Sequence, residues 1–493
     1  MTNNSNGRLS EYFANDPPSF FDELTTSKTK AKEGPQQAAD KPNSSSNNSI
    51  NMLASTFTGT FQPPEYVETA EAEEESIKVN DDVRNIWQPP TPNEPGTQAT
   101  HLVMPGIHIA NDLHDPVSIA VTQQLGEVEL QQRQILGVEN VTQDERGIRT
   151  LINAGCFRAA INLTGRLLTI YGQGYGRAGQ PAKHSPHSLQ LWFTRLALLA
   201  KVDEYELLQA EAEPFGQLNG PDVFYEFYPE MYNGKQGSIA CFSFRLLLAE
   251  LPIYLGKPHL AMDQLSVLHV ISNEIKQHYE GLKQANAAEF WQRRAERVLL
   301  SIINCAIMMK KFSMIDDIMG GMLLTRTSRS KEEQRALYSA WARIYLQIGD
   351  IFGAEQKFAV ARRLREMNST PDLRDLVDKG LIAVAKNDFP EAYLIFQKAL
   401  HLDSGNTMIL NNMGVCLLYA GKLKDAINLY ERAINLNPQK SLNESLLVNL
   451  STLYELESNN SKAKKLNLLR LINRFKPDLT ISVEICLKLQ ATN

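Results

Sequence analysis

The feature that most constrains this chain is a 34-residue repeat toward its C-terminal end, in which Gly380, Ala392, Phe396, Ala399 and Leu402 recur as Gly414, Ala426, Tyr430, Ala433 and Leu436. Phe389 likewise recurs as Leu423, and an earlier copy carries Tyr345, Gly349, Ala354, Phe358 and Ala361, with four extra residues before the next. In the clearest copy, Thr407 to Lys440, the residues Leu410, Met413 and Leu417 form an apolar stripe at helical spacing. Gly421 ends that helix and Pro438 stops a second one. Gly414 and Ala426 are small where the two antiparallel helices cross, and Tyr430 fills the space above them. One such hairpin cannot bury both of its apolar faces, so neighbours must stack on it.

These positions, with Ala433, are those of the tetratricopeptide (TPR) signature. The expected fold is therefore all-α: an α-solenoid of TPR and TPR-like helical hairpins, preceded by a disordered N-terminal tail. Residues 335–368, 373–406, 407–440 and 444–476 read as TPR repeats, and 477–493 as a C-terminal tail or cap. The last hairpin has Leu447, Leu450 and Tyr454 on its first helix, then Ala463 and Leu466. Lys462, Lys464, Lys465, Arg470, Arg474 and Lys476 give its second helix a basic, solvated capping face, with a phosphoinositide or partner patch as the competing reading.

Residues 116–330 read as a degenerate TPR-like helical region with loops at 172–187 and 213–237. The stretch 112–140 is helix-compatible, as a lead-in or a cap. From Thr142, Leu151, Gly155, Phe157, Ala160, Thr164 and Leu167 repeat the spacing of Leu417, Gly421, Leu423, Ala426, Tyr430 and Ala433. Leu189, Trp192, Leu196 and Leu199 mark a further helix, and hairpins follow over Ser238–Ile275 and Glu289–Leu324. The loop Gly172-Gln-Gly174-Tyr175-Gly176-Arg177-Ala-Gly179 contains GxGxxG, but a dinucleotide loop needs a strand before it and a helix N-terminus after it. Here a helical run precedes it and Pro181 follows, so it reads as a flexible or docking loop. The aromatics of 213–237, from Phe215 to Tyr232, read either as a plug over the solenoid or as an exposed partner site.

Residues 1–115 hold Ser/Asn runs and an acidic block from Glu65 to Glu75, and 12 of the chain's 23 prolines fall within its first 120 positions, a composition that cannot bury enough apolar surface to offset its ordering entropy. Phe20 and Phe21, flanked by acids, read either as a short recognition motif that folds onto a partner or as aromatics that a long tail contains by chance. Tyr12-Phe13, Phe57, Phe61 and Ile86-Trp87 read as aromatics that a long tail contains by chance.

A net charge of −6, from 50 basic and 56 acidic residues, argues against nucleic acid as a ligand. The five cysteines are scattered without CxxC spacing and read as reduced, buried small hydrophobes. No apolar leader stands at the start and no apolar run reaches about 18 residues, so neither secretion nor a bilayer span is expected, and membrane contact is at most peripheral. HExxH, Walker A and GxSxG patterns are absent, and His184-Ser-Pro-His187 lacks a third ligand. No enzyme, metal or cofactor is expected. In a TPR groove the first helix would present Met408, Asn411, Val415 and Leu418, and Arg374, Val377, Leu381 and Val384 one repeat earlier. A clamp that captures a terminal carboxylate would instead show Lys and Asn at the fifth and ninth positions of that helix, which here are Asn411 and Val415 in one repeat and Val377 and Leu381 in the other, so a co-chaperone is not expected.

Several blocks resemble one family: Gly165-Arg-Leu-Leu-Thr169, Gly172-Gln-Gly-Tyr-Gly-Arg177, Ser188-Leu-Gln-Leu-Trp-Phe193, Pro214-Phe-Gly216, Leu346-Gln-Ile-Gly-Asp350, Cys416-Leu-Leu-Tyr-Ala-Gly-Lys-Leu-Lys-Asp425 and Tyr454-Glu-Leu-Glu-Ser458. Together, from about Gln134 to Leu487, they are similar to the subunit-12 family of the trafficking protein particle (TRAPP) tethering complex. That resemblance implies a non-catalytic scaffold subunit of a Rab-GTPase exchange-factor assembly acting in endoplasmic reticulum to Golgi transport and autophagy. It implies other TRAPP subunits as partners, notably large ones such as 8 and 11, with a Rab GTPase and vesicle coat indirectly engaged, and a cytoplasmic location at the endoplasmic reticulum–Golgi interface. It also makes Gly172 to Gly179 a family feature outside the TPR pattern, and so a docking candidate. The competing reading is a free-standing adaptor or co-chaperone that binds one peptide in its concave groove.

Overall fold

A computed structural model describes residues 77, 79–87, 102–326, 329–365, 372–457, 460–479 and 482–489. Its helices run in order: α1 (Asp81–Asn85), α2 (Pro116–Leu125), α3 (Glu127–Leu130), α4 (Glu145–Asn153), α5 (Phe157–Ile170), α6 (Pro186–Lys201), α7 (Tyr205–Ala212) and α8 (Pro229–Tyr232). There follow α9 (Phe242–Tyr254), α10 (Pro258–Gly281), α11 (Ala285–Met308), α12 (Phe312–Thr325), α13 (Lys331–Ile348), α14 (Ile351–Arg363), α15 (Leu373–Ala385) and α16 (Phe389–Leu402). The array ends with α17 (Thr407–Tyr419), α18 (Leu423–Leu436), α19 (Pro438–Ser441), α20 (Glu444–Glu457), α21 (Ser461–Phe475) and α22 (Val483–Leu487). Among the described residues there is no strand, only isolated bridges at Ile107–Tyr175 and Phe224–Ser238. The protein is thus the all-α array of helical hairpins that the repeats imply. It divides into two compact units: described residues up to His114 with Ile135–Ile318, and Asp115–Gln134 with the residues from Met319 on.

In the second unit the hairpins form for the reasons read from the repeat. A Cβ added to Gly414 would stand 2.3 Å from Tyr430 Cζ, and one added to Gly380 would stand 2.5 Å from Phe396 Cε1. The aromatic ring of each second helix therefore occupies the space that glycine leaves on the first. Ala392, Ala399, Ala426 and Ala433 are buried at the same crossings. Ser330 Oγ accepts from Glu333 N and the Glu333 carboxylate accepts from Ser330 N, closing a capping box that starts α13. Neighbouring first helices are tied by buried ion pairs, Arg343 to Asp378 at 2.8 Å and Arg335 to Asp375 at 3.1 Å, and Arg335 also reaches the partly exposed N-cap Asp372 at 2.6 Å.

The end of the array is closed by sequence from far upstream. Arg133 pairs with Asp115, the N-cap of α2, at 2.5 Å and donates to the carbonyls of Asn473, Lys476 and Pro477, which the end of α21 leaves unpaired. Val117, Ala120 and Val121 share one buried cluster with Leu468, Leu469, Ile472, Val483 and Leu487. Of the two roles expected for 112–140, the 115–134 part acts as the cap. The basic face expected on α21 is not an open cationic surface. Lys465 is buried against Glu455, Lys464 pairs with Glu457, and Glu129 of α3 lies 3.9 Å from Arg470 and 3.5 Å from Arg474.

The first unit departs most from expectation at its N-terminal side. Residues 1–115 do not form one unpacked tail, because 79–87 and 102–114 are seated on the helices. Val83, Trp87, Val103 and Ile107 are buried in the same cluster as Trp192, Phe244 and Trp291. The Arg245 guanidinium lies 4.4 Å from the Trp87 ring centroid, Trp291 Nε1 donates to Val83 O, and Arg294 donates to Arg84 O. Trp87, read as a chance aromatic, is an anchor. Burial among these rings pulls the Arg245 pKa down to about 9. The aromatic segment 213–237 turns inward: Phe215, Phe224, Tyr225 and Tyr228 are buried, and the Phe215 ring meets Trp192 at 5.4 Å and Phe244 at 5.1 Å.

Candidate interaction surface

The glycine-rich loop after α5 is held from below and open above. Gln173 is fully buried, accepting from Trp192 Nε1 at 2.6 Å and donating to Lys183 O at 3.3 Å. Beside it the segment 102–108 runs as an extended strap. Ile107 N donates to Gly174 O, and Gly179 N donates to Met104 O. The strap's approach needs glycine at 106, where a Cβ would stand 2.0 Å from Ala178 N of the loop; Gly174 is needed for a different contact, since a Cβ there would stand 2.4 Å from Thr169 Oγ1 of α5.

Three buried ionisable side chains aim at the strap backbone. Both Asp222 carboxylate oxygens accept from Val103 N, at 3.0 and 2.9 Å, and His184 Nε2 donates to Val103 O at 2.8 Å. Glu211 accepts from His108 N while Arg195 grips it at 2.6 and 2.9 Å. An extended backbone has no internal partners, so these groups supply what a neighbouring strand would.

What remains outward is the tip of the loop. Ile170 is 78% exposed and Tyr175 61%; Tyr171 is also exposed, resting its ring 5.3 Å from that of His187. Arg177 is exposed, with its guanidinium donating to Gln180 Oε1 and no carboxylate partner among the described residues. Of the loop positions expected to meet a partner, Gly172, Tyr175, Gly176 and Arg177 face solvent, while Gly174 is buried against α5 and the strap. The loop is therefore a fixed projection rather than a free tether, and two bulky rings, an aliphatic side chain and one cation can bind an apolar surface bearing an acid.

The repeat groove is less open than its positions suggest. Met408 and Asn411 are buried, and Val415 and Leu418 are half-buried. Asn411 Oδ1 accepts from Asn449 of the next first helix at 2.9 Å, with Tyr430 Oη at 3.3 Å. The next first helix thus takes up the Asn411 side chain, and one repeat earlier Val377 and Leu381 are buried in the core cluster. Phe20 and Phe21 lie outside the described residues. Sequence reasoning did not find Val103, Glu211 or Asp222, because nothing local marks a carboxylate that receives a backbone amide from 119 or 103 residues away.

Among the described residues no grouping of His, Cys, Asp and Glu suits a metal ion, and no helix is long and apolar enough to cross a membrane. Cys156, Cys305, Cys416 and Cys486 are buried and in no disulfide, and burial pushes the thiols of Cys305, Cys416 and Cys486 up to about 12, far from the thiolate a nucleophile needs.

A tetratricopeptide repeat family model matches residues 408–440. Trafficking protein particle complex subunit 12 of Mus musculus is 38% identical over 387 residues, which are 76% of this chain and 48% of that protein. The Homo sapiens protein of the same name is 37% identical over 387 residues, 76% of this chain and 52% of that protein. The chain therefore spans about half the length of these relatives. A chain of the APC/C hetero-tetramer Cut9-Hcn1 aligns at 16% identity and a TM-score of 0.27, over 74% of this chain and 58% of that one, too loose a likeness to carry an argument. Over its aligned three quarters, this chain belongs to the family of trafficking protein particle complex subunit 12.

Proposed function

We propose that this protein is a non-catalytic scaffold subunit of a TRAPP vesicle-tethering complex, which works as an exchange factor for a Rab GTPase in endoplasmic reticulum to Golgi transport and in autophagy. The observation that carries the reading is the 38% identity over 387 residues to a subunit-12 protein, extending well beyond the one matched repeat. Its partners are other TRAPP subunits, notably large ones such as 8 and 11, with the GTPase and vesicle coat engaged only through them. Its place is the cytoplasmic side of the endoplasmic reticulum–Golgi interface, with peripheral membrane contact at most.

Within this reading the projection formed by Ile170, Tyr171, Tyr175 and Arg177 contacts a neighbouring subunit, and the strap beneath it keeps the projection in place. The test is affinity purification of the full chain with mass spectrometry of what accompanies it, beside a Tyr175→Ser, Arg177→Glu variant. Deleting 172–187 is the wrong perturbation, since it removes the buried Gln173 and His184 along with the tip. Recovery of TRAPP subunits by the wild type and loss of one of them by the variant supports the assignment. Recovery of a chaperone or a single peptide-bearing partner overturns the scaffold reading and favours an adaptor. Burial of Met408 and Asn411 speaks against that adaptor role for the last repeats.

A further inference from the structure

The longest helical hairpin of the first unit carries a surface that the tip of the glycine loop does not use. Helix α10 turns Ala261, Leu265, Leu268, Ser272 and Tyr279 into the unit, where they are buried. Its opposite side is not the polar face a solvated helix requires. Leu260 is 47% exposed, Val267 51% and Val270 54%, and Asp263 and Glu274 are exposed among them. Positions 260, 263, 267, 270 and 274 are spaced by three and four, so all five lie along one stripe, about 21 Å long at 1.5 Å per residue.

The charges on that stripe decide what covers it. Neither Asp263 nor Glu274 has an ion pair among the described residues, and the ion pair within the helix, Lys276 to Glu280 at 3.9 Å, involves neither of them. The stripe is apolar at its centre and acidic toward both ends. A second copy is a poor cover: antiparallel pairing that sets Val267 against Val270 also sets Asp263 against Glu274, and parallel pairing sets each acid against itself. We propose that the outer stripe of α10 docks a basic amphipathic helix of a partner protein, about four turns long. Its aliphatic seam would lie on Leu260, Val267 and Val270, with lysine or arginine flanks over Asp263 and Glu274.

The probe is a fluorescein-labelled helix of about 18 residues with leucine at heptad positions a and d and lysine at e and g, titrated by anisotropy into the full chain. A twin with glutamate at e and g is the comparison. The lysine helix is expected to bind at least about tenfold more tightly than its twin. Asp263→Lys with Glu274→Lys is expected to reverse that order, and Asp263→Asn with Glu274→Gln to abolish the preference. Val267→Ser with Val270→Ser is expected to weaken both helices by about tenfold or more. All four sites in these variants are solvent-facing, so each variant keeps the wild-type melting curve. Equal binding of the two helices, binding that none of the variants changes, or sedimentation of the wild type as a dimer dissociated by Val267→Ser would each overturn the proposal.

Discussion

Replacing Gly414 by alanine tests the helix crossing at its tightest point. The new methyl would lie 2.3, 2.5 and 2.6 Å from Cζ, Oη and Cε1 of Tyr430, where a relaxed carbon–carbon contact needs about 3.5 to 4 Å. The ring must retreat by more than an ångström's worth of overlap, and it is not free to do so. It is almost fully buried, and its hydroxyl donates to Asn411 O at 2.9 Å. Overpacking of this kind costs about 1–3 kcal/mol, and stranding a buried hydroxyl adds about 1–3. Alanine's better helix propensity returns about 0.5–1 kcal/mol, leaving a net loss of roughly 1–5. Gly320 supplies the opposite sign. It also lies inside a helix, but no atom comes within 4 Å of a Cβ built there, so Gly320→Ala should stabilise by about 0.5–1 kcal/mol. Urea unfolding followed by circular dichroism measures both. In a Tyr430→Ala background the Gly414→Ala penalty should fall below about 0.5 kcal/mol, because the two residues act through one contact. Equal effects of Gly414→Ala in the two backgrounds, or a stabilisation matching that of Gly320→Ala, would refute the crossing argument.

Glu211→Gln leaves the Arg195 guanidinium charged and buried without its counter-ion, and should cost about 3–5 kcal/mol of stability in thermal unfolding, against a much smaller loss for the exposed Glu139→Gln. Asp222→Ala strands the buried Val103 amide; hydrogen exchange at Val103 and Ile107 should speed up while α10 and α11 exchange as in the wild type. The Asp372 carboxyl is pushed up by burial, but the Arg335 hydrogen bond and charge outweigh that and hold its pKa below the ordinary 3.8. A carboxyl lowered on folding adds stability above its unfolded value and loses it as pH falls through the folded one. Melts compared at about pH 6 and about pH 3 should therefore show acid destabilisation that Arg335→Met reduces, and an unchanged acid sensitivity in that variant would remove Asp372 as its source.

The hairpins from α15 to α18 are legible in the sequence because every residue that makes them lies within one repeat. Gly414 meets Tyr430 sixteen positions away, Gly380 meets Phe396 at the same distance, and the 34-residue period announces both. The buried cysteines follow from local pattern too. The strap and the cap are different in kind. Val103 meets Asp222, Trp87 meets Arg245 and Arg133 meets the end of α21, 340 residues on, and the partners are ordinary polar residues whose spacing repeats nowhere. Composition made the first 115 residues look unable to bury themselves, which is true of their own apolar content. For 79–87 and 102–114 the helices that come later supply the missing surface. Likewise the groove positions of the repeats can be named from register, but whether Asn411 faces a ligand or Asn449 depends on how tightly the next first helix stacks. The sequence by itself determined that this chain is a stack of helical hairpins of a recognisable family, since short-range contacts and a repeated spacing encode that. Only the tertiary structure decided which segment closes the C-terminal end of the repeats and which side chains stay exposed, because those outcomes rest on backbone groups and charges meeting across hundreds of residues.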